Sequence, residues 1–189
     1  MIEDTGMRQG DILLIVDVQN DFCPGGALPI EGGNEVVGVL NGWIGRAVAA
    51  GCPVYASRDW HPAGHLSFAE SGGPWPSHCL QDTGGAAFRS DLELPAGTVL
   101  VTKGVRFDQD QNSAFDQTGL SFWLKRQGIK RLFVGGLAED VCVIATVLDG
   151  LREGFAVNLL IDATRPVTQE GGEVALARMA KAGAKIVPG

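Results

Sequence analysis

The chain predicts an α/β fold: a doubly wound three-layer sandwich around a mostly parallel sheet of about six strands. Three observations predict it. Short apolar runs alternate with longer segments of helical period from end to end. The runs are apolar at successive residues, as in strands covered on both faces. No internal repeat or low-complexity linker interrupts the alternation.

Asp11–Val16 (DILLIV) is the first strand. A Gly/Pro loop follows over residues 23–33, and Asn34 is placed to cap the next helix. In that helix Val36, Val39, Leu40, Trp43, Ile44, Ala47 and Val48 recur at helical spacing, and Gly51 ends it. Residues 53–57 form the second strand. An irregular stretch from 59 to 91 comes next, and loops that long inside a domain are usually functional. Strand three covers 98–102. A polar segment, 107–116, leads to a helix over 119–127. Strand four is 131–135, a helix spans 140–153, strand five is 155–161, the last helix is 171–182, and 185–187 is a short final strand. Residues 1–10 are expected to be poorly ordered. Residues 11–189 are expected to form one α/β domain that carries the 59–91 stretch as an insertion.

The 189 residues are 45% hydrophobic and 20% charged, ordinary for a globular domain. A net charge of −7 argues against nucleic acid or an anionic membrane as partner. No apolar run reaches the length of a membrane span, and the polar N-terminus has no signal core, so a cytoplasmic protein is expected. The four cysteines, Cys23, Cys52, Cys79 and Cys142, form no CxxC pair and are read as free thiols.

All three histidines, His61, His65 and His78, fall in the 59–91 stretch beside Asp59. Imidazole with carboxylate suits one divalent transition metal, zinc, iron or manganese. Pro62 and Gly64 bend the chain between the first two histidines. Cys79 adjoins His78 and is expected to point away from the ion.

Ligands of open parallel sheets bind at the carboxyl ends of the strands. Strand one ends in Asp17, strand two leads into Asp59 and His61, strand three ends in Lys103, and strand four runs to Cys142 in the first turn of a helix. An acid, a metal loop, an amine and a thiol thus share one edge. A helix N-terminus and a nearby ammonium favour thiolate. Asp17 can take the thiol proton and return it to a leaving amine, provided burial raises its pKa. Backbone N–H groups at Ala138 and Cys142 can form an oxyanion hole. Loss of metal is expected below about pH 5 to 6, where free imidazoles protonate.

Segments 15–26, Arg58-Asp59-Trp60-His61 with Gly64-His65, Trp75-Pro76-Ser77-His78-Cys79, Thr102-Lys103-Gly104, Ser113-Ala114-Phe115 and 135–143 resemble the nicotinamidases (pyrazinamidases) of the isochorismatase-like cysteine hydrolases. The likeness runs from Asp11 to about Ala163. It implies a Cys142/Asp17/Lys103 triad, metal ligands Asp59, His61, His65 and His78, and a cis peptide before Ala138. It implies that Phe22 and Trp75 pack against a substrate ring, with Leu137 and Ala138 completing the substrate wall. The metal would hold a ring nitrogen while Cys142 attacks the carboxamide, giving a thioester, ammonia and then nicotinate, a step of NAD salvage. Metal-free relatives of the superfamily lack this histidine set. The alternatives are the same chemistry on another small heteroaromatic or carbamoyl amide, attack by a metal-bound water, or a non-catalytic metal-binding protein. A small-molecule amide is the expected partner, and a homo-oligomer is possible in such enzymes. The chain departs from the family pattern at three positions: Asn112 stands where an aromatic is common, Val141 where tyrosine or histidine is frequent, and Glu139 where threonine is usual.

Overall fold

A computed structural model describes residues 6–188. Six strands, β1 (Asp11–Val16), β2 (Val54–Asp59), β3 (Val99–Lys103), β4 (Arg131–Leu137), β5 (Ala156–Arg165) and β6 (Lys185–Val187), form one sheet in the order β3-β2-β1-β4-β5-β6. Every pairing is parallel. Four α-helices connect them: α1 (Val36–Ala49), α2 (Leu120–Arg126), α3 (Ile144–Arg152) and α4 (Gln169–Ala182).

The strand residues divide by parity, because successive side chains point to opposite faces. Leu13, Ile15 and Phe133 join α1 through Leu40, Trp43 and Ile44. Ile12, Leu14, Leu132 and Val134 join α2, α3 and α4 through Leu124, Val147 and Met179. One helix covers one face and three cover the other, which makes the three layers. Two buried faces explain why all six residues of β1 are buried. Fully burying each such Leu or Ile stabilises by roughly 1.5–3 kcal/mol.

Several local readings change. Asn34 does not cap α1: it lies inside a 3₁₀ turn, Gly33–Glu35, and Glu35 precedes the helix without a side-chain cap. Val48 shares the helical spacing but is 58% exposed, at the edge of the apolar stripe. The helix after β4 opens as a wide π-helical turn, Glu139–Val143, before α3 begins. β5 runs on through the polar Asp162–Arg165 because Thr164 and Arg165 pair with Gly136 and Leu137, and Thr164 Oγ1 donates to Gly136 O at 2.8 Å. α4 starts earlier than its apolar period indicates, since Thr168 accepts the Gly171 N–H at 3.0 Å.

Of the ten N-terminal residues, Met1–Thr5 lie outside the described residues. Gly6 O accepts from Arg131 Nη2 at 2.9 Å, and Arg8 N–H donates to Asp11 at 2.7 Å. Among the described residues no helix is long and apolar enough to cross a membrane.

β1 and β4 are neighbours although β2 and β3 intervene in sequence, so the strand order reverses between them. Crevices at the carboxyl ends of strands open at such a reversal. Gly136 makes the close approach possible. Its φ is +128°, and a Cβ there would lie 2.0 Å from Val16 O.

Candidate active site and metal centre

Asp17 follows β1 directly and turns the chain with φ +50°, a left-handed conformation that aspartate tolerates better than most residues. Its carboxylate is fully buried. Ser57 Oγ, on neighbouring β2, donates to Oδ1 at 2.7 Å. Oδ2 takes no hydrogen bond of good geometry, but Lys103 Nζ ion-pairs with it at 2.7 Å.

Lys103 closes β3 and is also completely buried. Its ammonium donates to Asp59 Oδ1 at 2.6 Å, to Gln111 O at 3.3 Å and to Cys142 Sγ at 3.5 Å. One cation therefore ties the acid, the thiol and a carboxylate of the histidine cluster. Burial alone would lower the Lys103 pKa, but Asp17, Asp59 and Cys142 hold it well above the ordinary lysine value. Burial lifts Asp17 to about 6 against the pull of Lys103. Burial also works to raise Asp59, yet Lys103 and His61 outweigh it and keep that carboxyl below its usual value.

Cys142 sits in the wide turn, where Val143 N–H reaches back to Ala138 O at 3.0 Å. Burial pushes its thiol well above the ordinary cysteine value, and Lys103 only partly counters this because Asp17 and Asp59 add negative charge. Burial and the two carboxylates thus work against the thiolate that the helix N-terminus and the ammonium favour. The peptide between Leu137 and Ala138 is cis.

The histidines converge. His61 Nδ1 meets His78 O at 3.2 Å, His65 Nδ1 meets Ser67 Oγ at 2.8 Å, and His78 Nδ1 meets Pro76 O at 2.8 Å. Engaging each Nδ1 orients the ring and leaves Nε2 to act as ligand. The His61 ring centroid lies 4.4 Å from that of His65 and 4.8 Å from that of His78. Two overlapping triads result, Asp59–His61–His78 and His61–His65–Asp110, each with ligand atoms within 4.8 Å of one another.

These residues fit a divalent ion on three grounds. His65 Nε2 is buried without any hydrogen-bond partner. With a neutral thiol, the charges of Asp17, Asp59 and Lys103 sum to −1 in a buried site. Gly104, at φ +70°, leaves a cradle open: a Cβ there would sit 2.8 Å from His61 Nε2 and 3.1 Å from Asp59 Oδ1. Gly104→Ala should therefore weaken metal affinity by roughly 10- to 100-fold. Competition with a chromogenic chelator measures it, and wild-type affinity in the variant would refute the assignment. Burial depresses His61 to about 4, so this imidazole stays neutral well below the pH 5 to 6 expected of a free one.

One cavity is lined by Phe22, Trp75, Asp59, His61, His78, Asn112, Ala138, Val141 and Cys142, among others. It joins both halves of the site. The Ala138 N–H makes no hydrogen bond among the described residues. Leu137, expected in the substrate wall, is fully buried in the α1-side core and is not among the residues that line the cavity. Asp17, Lys103 and His65 are buried and are not among the residues that line the cavity. Cys79 is buried outside the triads, and its N–H donates to Asp21 Oδ2 at 2.7 Å.

Three contributors were not singled out from sequence. Asp110 completes the second triad, but nothing in the polar 107–116 segment distinguishes it from Asp108. Gln19, completely buried, accepts the Asp59 N–H at 2.8 Å and donates to Asp59 O at 2.7 Å. Asp21 ties the 20s loop to the histidine loop through Cys79. A glutamine and an aspartate just after an apolar strand were the available signal for the last two.

The isochorismatase domain profile matches residues 11–188. The nicotinamidase of Escherichia coli (strain K12) is 39% identical, covering 92% of each chain. The crystal structure of a pyrazinamidase of Pyrococcus horikoshii in complex with zinc superposes with a TM-score of 0.92 at 42% identity, covering 95% of this chain and 99% of that one. The crystal structure of PnC1 from L. infantum in complex with nicotinate gives a TM-score of 0.87 at 36% identity, covering 94% and 92%.

Proposed function

The chain belongs to the isochorismatase domain family, and we propose that it hydrolyses nicotinamide to nicotinate and ammonia through a thioester on Cys142. The observation that carries this reading is the Lys103 ammonium, which holds Asp17 at 2.7 Å and Cys142 Sγ at 3.5 Å, the thiol lining one cavity with Asp59, His61 and His78. Asp17 accepts the thiol proton as Sγ attacks the carboxamide carbon. The N–H groups of Ala138 and Cys142 receive the developing oxyanion. Asp17 then returns the proton to the leaving nitrogen, and ammonia departs. A water, deprotonated by Asp17, cleaves the thioester and regenerates the thiol.

Asp59, His61, His65 and His78, with Asp110 beside them, would hold one zinc, iron or manganese ion. When bound, the ion supplies a Lewis-acidic anchor for a ring nitrogen. Phe22 and Trp75 flank the ring, and the Phe22 ring lies 5.4 Å from that of His78. Free thiols at all four cysteines suit a reducing, cytoplasmic compartment.

The test is ammonia release from nicotinamide before chelation, after it and after metal add-back, with benzamide as control. Metal-dependent release from nicotinamide but not from benzamide is expected, since benzamide has no ring nitrogen. Equal turnover of both would overturn the anchored reading. The log of kcat/KM should rise with pH up to about 6 and then level, because Asp17 must be ionised to act as base. A second reading, a larger or more polar heteroaromatic amide, is favoured by Asn112. Its exposed amide brings Oδ1 to 4.0 Å from Cys142 Sγ, where an aromatic is common.

A further inference from the structure

We propose that a second cavity, behind the turn that carries Cys142, binds an aliphatic amine whose ammonium pairs with Glu139. The cavity holds about 350 Å³ and is lined by Glu31, Glu139, Pro166, Val167, Glu173 and Leu176. Glu139 is only 6% exposed, yet its carboxylate makes no hydrogen bond or salt bridge among the described residues. Its oxygens open into the cavity rather than onto a protein partner, so a cation entering there meets no competing counter-ion.

The neighbouring charges are committed elsewhere. Asp140, on the same turn, accepts the Val167 and Thr168 N–H groups at 2.7 and 3.3 Å. Arg165, at the end of β5, is drawn off by Glu35 at 3.0 Å. Burial, reinforced by Asp140, raises Glu139 to about 6 despite Arg165, so it is still charged at neutral pH. Gly172 on α4 leaves room beside it, since a Cβ there would come within 3.2 Å of Oε1.

The walls decide the class of cation. Pro166, Val167 and Leu176 offer apolar surface between the buried carboxylate and the exposed rim carboxylates Glu31 and Glu173. An alkyl stem with ammonium ends matches that pattern. Magnesium, which keeps most of its waters, does not. This site is independent of the amidase reading. It uses none of the residues assigned to catalysis or metal, although Val167 borders both cavities.

Isothermal titration calorimetry of the metal-loaded enzyme with 1,5-diaminopentane tests the proposal, with 1-pentanol and magnesium chloride as controls. Saturable binding of the diamine alone is expected. Glu139→Gln should weaken it at least about tenfold, while Cys142→Ala leaves it unchanged. Thermal melting checks that the variant is folded, and Glu139→Thr provides a second one. Absence of binding to wild type, undiminished affinity in both folded Glu139 variants, or tighter binding of magnesium would each overturn it.

Discussion

Cys142→Ala should abolish amide hydrolysis while leaving the metal and the fold in place. A fall in kcat of about 10⁴-fold or more is expected, because removing a covalent nucleophile eliminates the pathway rather than slowing one step of it. The thiol is buried at the edge of the cavity, 3.5 Å from Lys103 and linked through that ammonium to Asp17; it lies outside both histidine-containing triads and groups instead with Asp17 and Asp59, where no imidazole contributes. Metal content should therefore match wild type. Cys142→Ser separates the mechanisms further. Serine preserves the volume, but its hydroxyl is a far weaker nucleophile, and Asp17, near 6, is a poor base for it. Near-full activity in the serine variant would mean that a metal-bound water attacks and that Cys142 only packs. Mass spectrometry of the quenched wild-type reaction should find the acyl group on Cys142.

Lys103→Met should lower both stability and activity. The side chain lies at the junction of three groups, and methionine fills similar space without the charge. Asp17 and Asp59 are then left buried and facing one another. Removing one partner of a buried ion pair typically costs about 3–5 kcal/mol. In wild type, Lys103 holds Asp59 below its ordinary value and restrains the rise of Asp17. Without it both folded-state pKa values go up. A group whose folded pKa is raised is most stabilising below its unfolded pKa and loses that contribution as pH rises. The variant's deficit should therefore be small near pH 4 and largest above about pH 6. Denaturant melts of the metal-free protein across that range measure it. A deficit independent of pH would show that lost packing, not unpaired carboxylates, is responsible.

Much of the site was legible because strand ends are legible. Apolar runs bounded by polar residues placed Asp17, Asp59 and Lys103 at the carboxyl edge, and the clustering of all three histidines pointed to the candidate metal loop. The candidate nucleophile Cys142, a thiol just past a strand and a double glycine, was also visible. The helix boundaries were less so. Asn34 has the right residue type for a cap but falls inside a 3₁₀ turn. The polar end of β5 reads as a loop because its pairing to Gly136 and Leu137 comes from a strand some 28 residues away.

By itself the sequence determined the α/β class and the parallel strands, and it pointed to a candidate nucleophile and a candidate donor set for a metal, since these depend on residue type and local periodicity. Only the tertiary structure decided the rest. It brought Asp110 to His61 and His65, turned Leu137 into the core, left Glu139 without a partner among the described residues, and buried the thiol among carboxylates that raise its pKa. Each of these depends on which chain segments meet across the β1–β4 reversal and on how completely they exclude water. Distance and desolvation between residues far apart in sequence leave no trace in local pattern, and they set both the ligand geometry and the proton affinities of the site.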